Sequence, residues 1–187
     1  MKTWQEGEFF TDQFIGVNSW NGWENDVLVR NDDNGKRFTD IAHVTGIDLE
    51  SDGRGMTYLD YDLDGDLDVI VVGHRQQAIF LRNQYGQNNN WLHVDLVGTQ
   101  SNRQGVGARL TLRTGETRQI RESRAGGGYL QSHSVPIAFG LGKADKVDEL
   151  TVRWPSGTVT TLNNLPVNQV VRVAEGADLL SHLPDNL

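Results

Sequence analysis

From residue 91 onward the chain alternates with a period of two. WLHVDLVG (91–98) sets Leu92, Val94 and Leu96 against His93 and Asp95. GARLTLRT (107–114) sets Ala108, Leu110 and Leu112 against Arg109, Thr111 and Arg113. TRQIRES (117–123), VPIAFGL (135–141), DELTVRW (148–154), TVTTLN (158–163) and QVVRVAE (169–175) follow. Successive strand residues point to opposite faces, so this pattern gives each segment one buried face and one wet face. No 3.6-residue period is sustained anywhere. The expected class is all-β, with an antiparallel sandwich-like domain over residues 91–175.

The first half is also strand-like, but its strands crowd together. DVLVRN (26–31), FTDIA (38–42), GMTYLDY (55–61), LDVIVVG (67–73) and AIFLRN (78–83) are separated by turn-forming stretches such as NDDNGKR and SDGRG. That density of strands over about 60 residues matches one β-propeller blade, expected over 26–85. QYGQNNN (84–90) is polar and rich in Asn, and marks the boundary. Residues 1–25 contain Trp4, Phe9, Phe10, Trp20 and Trp23 without a clear period, and read as a lead-in. The tail, 176–187, contains ADLLSHL, which reads as one helical turn. A total of 21 Gly against 4 Pro favours many tight turns between short strands.

YLDYDLDGDLDVIVV (58–72) concentrates the chemistry. With Asp60 as position 1, Asp62 is position 3, Asp64 is 5, Gly65 is 6, Asp66 is 7 and Asp68 is 9. Calcium takes six to eight oxygens, and a tight loop supplies them from alternate residues, with Gly at position 6 permitting the sharp turn. An EF-hand closes with Glu at position 12, where this chain has Val71 within an expected strand. The loop must therefore close earlier, and Asp68 is the candidate. Two carboxylates about 4 Å apart repel by roughly 1 kcal/mol in water and about 4 kcal/mol at an effective dielectric of 20. Five in one turn call for a cation. The bland alternative is a solvated acidic turn capping a hairpin, and magnesium fits less well because it keeps its waters.

D-x-D-x-D-G-x-x-D followed by a β-branched run resembles the FG-GAP (VCBS) repeat of calcium-bearing, α-integrin-like propeller blades. RNDDNGKRFTDIAHVTGI and GRGMTYLDYDLDGDLDVIVV fit its framing. The resemblance implies Ca2+ held by the side chains of Asp60, Asp62, Asp64 and Asp68 and the carbonyl of Asp66, tying two strands together without a chemical role. NDDNGKRFTD (31–40) is at best a weak second loop, since its acids do not alternate. In the second half, SNRQGVGARL (101–110), AGGGYLQS (125–132), FGLG (139–142) and VRWPSG (152–157), taken in this order, resemble the ASPIC/UnbV domain. Together the two resemblances cover residues 17–175. They imply a secreted or cell-surface binding or adhesion module with no catalytic residues to carry over and with a protein or glycan partner.

Other constellations are weaker. His43, His74, His93, His133 and His182 show no ligand spacing. Ser132, His133 and Ser134 are neighbours whose side chains alternate across a strand, which spoils a nucleophile–base pair. Ser123, Arg124 and Tyr129 beside Gly127 and Gly128 read as turn packing, or as the lining of a polar pocket. A net charge of −8 disfavours nucleic acid. No apolar run reaches the length of a membrane span, and the first residues lack a signal-peptide core, so the chain reads as intracellular or as a piece of a longer secreted protein. The rival to a binding module is a metal-dependent hydrolase using the aspartates directly, which would need an open coordination position and a nearby base; a purely structural domain is the third reading. One blade cannot close a propeller, so a cover from the second domain or from another copy of the chain is expected.

Overall fold

The computed structural model describes residues 24–33, 35–129, 131–132, 136–176 and 181–182. The lead-in aromatics and His133 lie outside these residues. The chain divides into two compact units: one takes the described part of 1–56 together with 70–81, and the other takes 57–69 with the described part of 82–187.

In the first unit the elements are short. β1 (Glu24–Asn25) pairs antiparallel with β4 (Glu50–Ser51), and β2 (Val29–Asn31) pairs antiparallel with β3 (Phe38–Asp40). The strand read over 26–31 is formed only from Val29. The one read over 38–42 stops at Asp40, because the Asp40 Oδ1 accepts the Ala42 N–H at 2.9 Å and starts a single helical turn, α1 (Ala42–Thr45). That turn ends at Gly46, whose φ of 74° suits glycine. Among the described residues of this unit Ala42 is the buried apolar one, while Val27, Val29, Phe38 and Val44 are exposed. β5 (Gly53–Leu59), β6 (Asp68–Gly73) and β7 (Ile79–Leu81) form a three-stranded sheet in that order, of which residues 57–59 and 68–69 are assigned to the second unit.

The second unit contains a sandwich of two four-stranded sheets. One is ordered β10-β9-β12-β13, from β9 (Arg109–Thr114), β10 (Thr117–Glu122), β12 (Lys146–Arg153) and β13 (Val159–Pro166), and every pairing in it is antiparallel. The other is ordered β11-β8-β14-β15, from β8 (Asn90–Val97), β11 (Ile137–Gly142), β14 (Gln169–Ala174) and β15 (Ser181–His182). The inward residues of both sheets form one core: Leu92, Val94, Phe139, Val171 and Val173 from one face, and Leu110, Leu112, Val147, Leu150 and Val152 from the other. At about 25 cal/mol per Å² of apolar surface removed from water, this core is the main favourable term for the unit.

The sandwich is antiparallel as expected except for one pairing, and one reading of the tail is corrected. β8 and β14 run parallel, with Leu92 opposite Gln169 and Val97 opposite Ala174. The cause is connectivity: β13 and β14 belong to different sheets, so the chain crosses over before it pairs and is not turned back by a hairpin. In the tail, Ser181 and His182 are a strand paired with Arg172 and Val171, where a helical turn was expected; the rest of that turn lies outside the described residues.

Candidate metal centre

The aspartate loop belongs to the second unit and fills residues 60–67 between β5 and β6. Its sharp turn is made by two residues in the left-handed region, Leu63 at φ 60° and Gly65 at φ 92°. Gly65 is required twice over, since any Cβ there would fall inside the Trp91 indole. Trp91 in turn lies against His93, with ring centroids 4.6 Å apart. The start of β8 is thus the floor on which the loop rests.

Asp60, Asp62 and Asp64 each bring one carboxylate oxygen within 4.8 Å of the others'. These three can hold a metal ion. The loop's own amides brace two of them: Gly65 N–H donates to Asp60 Oδ2 at 3.0 Å, and Asp66 N–H donates to Asp64 Oδ1 at 3.0 Å. Asp64 Oδ2 also accepts from Gln87 Nε2 at 2.9 Å, and Asp62 is ion-paired with Arg82.

The other two predicted ligands are placed differently. Asp68 is fully buried at the head of β6, and both of its oxygens accept backbone N–H groups: Oδ2 from Tyr61 at 3.0 Å and Oδ1 from Asn83 at 2.8 Å. It pins the two ends of the loop and the segment after β7. Asp66 is also buried, pressed against Gly86, and neither carboxylate oxygen makes a well-formed hydrogen bond. Asp60 Oδ1 and Asp62 Oδ1 are likewise buried without a donor.

The electrostatics follow from this crowding. Burial, joined by the charges of Asp64, Asp68 and Asp62, pushes Asp66 up to about 6 against the pull of the Gly86 amide. Burial also raises Asp60, with Asp64 and Asp62 adding to it and the Gly65 and Asp64 amides opposing it. His93 sits beside Asp60, Nδ1 to Oδ2 at 3.8 Å, and burial lowers its pKa despite a backbone hydrogen bond with Gly65. An imidazole held neutral adds little charge to balance the acids. Arg82, its side chain half exposed, is the nearby cation.

Sequence reasoning missed Arg82, Gln87, Trp91 and His93 as neighbours of the loop. Alternation placed His93 on the wet face of β8, whereas it is 3% exposed because the loop covers it. The signal available was a weak one: a histidine next to a tryptophan at the start of a strand. The remaining groups are not gathered at this site. Ser132 donates to the Ala125 carbonyl at 2.8 Å, Arg124 pairs with Glu122 at 3.2 Å, and Tyr129 is exposed. In the weak second loop, Asp32 is ion-paired with Arg30 at 2.6 Å and accepts from Thr39.

An all-β chain that joins an acidic, glycine-turned loop to a two-sheet sandwich is the class that fold and site define. Its sandwich half carries a family signature: residues 98–179 match the ASPIC and UnbV family. Among curated proteins the chain is similar to cartilage acidic protein 1. It is 36% identical to the human protein over 122 residues, 36% identical to the Xenopus tropicalis protein over 118, and 34% identical to the mouse protein over 120. Each match covers 60–62% of this chain and 18% of the relative, so the chain corresponds to under a fifth of those proteins.

Proposed function

We propose that this chain is a calcium-stabilised, non-enzymatic binding module of secreted or cell-surface proteins, in which an FG-GAP-like loop secures its own segment and residues 82–93 that it touches. One observation carries the reading. Asp60 and Asp62 each bury a carboxylate oxygen, Oδ1, that no donor satisfies, and both belong with Asp64 to the trio whose carboxylate oxygens lie within 4.8 Å of one another. A buried acceptor left unmade costs about 1–3 kcal/mol, and more when it is charged. A cation removes that penalty and the mutual repulsion together. The donors are all oxygens, which suits a hard cation, and a loop of adaptable length suits calcium better than magnesium. Asp60, Asp62 and Asp64 would hold the ion, Asp68 would fix the loop ends, and the carbonyl of Asp66 would complete the set.

The hydrolase alternative gains no support from the loop. Among the described residues the imidazole beside it is that of His93, which is buried and cannot reach a substrate arriving from solvent. Similarity to cartilage acidic protein 1, the ASPIC and UnbV match, and the exposed Val27, Val29 and Phe38 of the first unit all favour a part of a larger binding protein. In that reading residues 26–85 are one blade whose apolar side chains meet neighbouring repeats or a second copy.

Calorimetry tests the loop. Calcium should bind at one site with micromolar to millimolar affinity. Asp64→Ala should weaken binding strongly, and Asp66→Ala much less. Equal losses for the two would mean that the ligand assignment is wrong, and no heat of binding in the parent chain would remove calcium from the account.

A further inference from the structure

The outward face of the β10-β9-β12-β13 sheet carries a second charged arrangement, of the opposite sign. Arg109, Thr111 and Arg113 share one face of β9, while Leu110 and Leu112 between them are buried in the core. Register places Arg153 directly opposite Arg109 and Thr151 opposite Thr111 on β12, and places Arg118 opposite Arg113 on β10. With Glu149 beside Arg113, these side chains line an open depression of about 630 Å³.

Two features make this more than a solvated face. The chain has a net charge of −8, yet four guanidiniums and one carboxylate line this depression. Moreover, two Arg–Arg pairs stand directly opposite each other across strands, an arrangement that weakens a sheet. Arg109 is partly offset by Glu122 at 3.7 Å and Arg113 by Asp148 at 3.9 Å. Arg118 and Arg153 have no ion pair among the described residues. Charge concentrated against the interest of the fold is charge available to a ligand.

We propose that this face binds an acidic polysaccharide, one that carries sulfate or carboxylate groups on a hydroxyl-rich backbone. The planar fork of arginine matches the paired oxygens of both anions. The two arginine pairs sit four residues apart along β9, about 13 Å at a strand rise of ~3.3 Å per residue. Between them lie the hydroxyls of Thr111 and Thr151, and Glu149 adds an acceptor to which Thr151 Oγ1 is 3.4 Å away. Sugar hydroxyls can donate to Glu149 and to both threonines, whereas the side chains of an acidic peptide offer Glu149 only repulsion. A peptide strand would also add to a sheet edge, and these residues occupy the face. The inference rests on this face and not on the aspartate loop.

Fluorescence anisotropy of the whole chain with a labelled heparin-derived hexasaccharide tests it, at near-physiological salt, in calcium and in EGTA. Unsulfated uronate hexasaccharide and hexaglutamate serve as comparisons, to separate sulfate from carboxylate and glycan from peptide. Saturable binding is expected, weakening as salt rises. The double variant Arg118→Gln, Arg153→Gln should bind at least tenfold more weakly while its melting temperature stays level or rises, since like-charge pairs are relieved. Either hexasaccharide binding in this way supports the proposal. It is overturned if neither hexasaccharide binds saturably, if the double variant binds as well as the parent, if hexaglutamate binds as tightly as the glycan, or if binding disappears in EGTA.

Discussion

Glu175 shows how much a single carboxylate can organise. It is 4% exposed at the end of β14 and gathers the loop after β8: Thr99, Gln100 and Ser101 donate their backbone N–H groups to Oε2 at 2.9, 2.8 and 2.6 Å. Ser101 Oγ donates to Oε1 at 2.8 Å, and Ser156 Oγ, in the turn after β12, donates to the same oxygen. Burial alone would raise its pKa, but the Ser101 amide, the Ser156 and Ser101 hydroxyls and the Gln100 amide outweigh it and bring the group down to about 2. The ordinary value for a glutamate is 4.5. A depressed folded pKa gives stability that is fully present above about 4.5 and is lost as the pH falls from there through about 2. Glu175→Gln should therefore lower stability at pH 7 and flatten the acid limb of a melting-temperature profile between pH 4.5 and 2. An unchanged acid limb in the variant would place the titration elsewhere. Charge also decides the loop residues. Asp60, Asp62 and Asp64 converge, while Asp68 spends both oxygens on backbone amides, a division of labour that spacing alone does not reveal.

At the scale of elements, β12 and β13 are held by burial on one face and by a few polar pairs. The Trp154 indole N–H donates to Thr160 Oγ1 at 2.9 Å inside the core. Thr160→Val keeps the shape and removes the acceptor. The cost should be about 1–3 kcal/mol, that of an unmet buried donor, as read from denaturant unfolding. A loss below 0.5 kcal/mol, within the range of ordinary surface substitutions, would show that the indole finds another partner. The strands of this half were legible because each presents one face to the core. Leu92-Val94-Leu96 and Leu110-Leu112 alternate cleanly, and their boundaries fall within two residues of the elements formed. The parallel pairing of β8 with β14 was not legible, because alternation carries no direction. The first unit was read less well. Val27 and Leu28 have strand-like side chains, but they are exposed and lie outside β2, so local propensity had no packing to reinforce it. At the site, the five aspartates and Gly65 were visible in the spacing. Trp91, His93, Arg82 and Gln87 were not, since they meet the loop only through the fold.

For the molecule as a whole, the proposed calcium ion would act through stability. Binding to the native form alone stabilises by RT ln(1 + [L]/Kd), about 2.7 kcal/mol at a hundredfold excess over Kd. Within the second unit that stabilisation should be local. The loop touches residues 82–93 through Arg82, Asn83, Gly86, Gln87, Trp91 and His93, while the sandwich core around Leu150 and Val152 is built from apolar side chains far along the chain. Hydrogen exchange in calcium and in EGTA separates the two regions most directly. The account predicts that EGTA speeds exchange in 57–69 and 82–93, with β12 at 146–153 changing little. Equal acceleration in all three segments, or none in any, would contradict a structural ion in the aspartate loop.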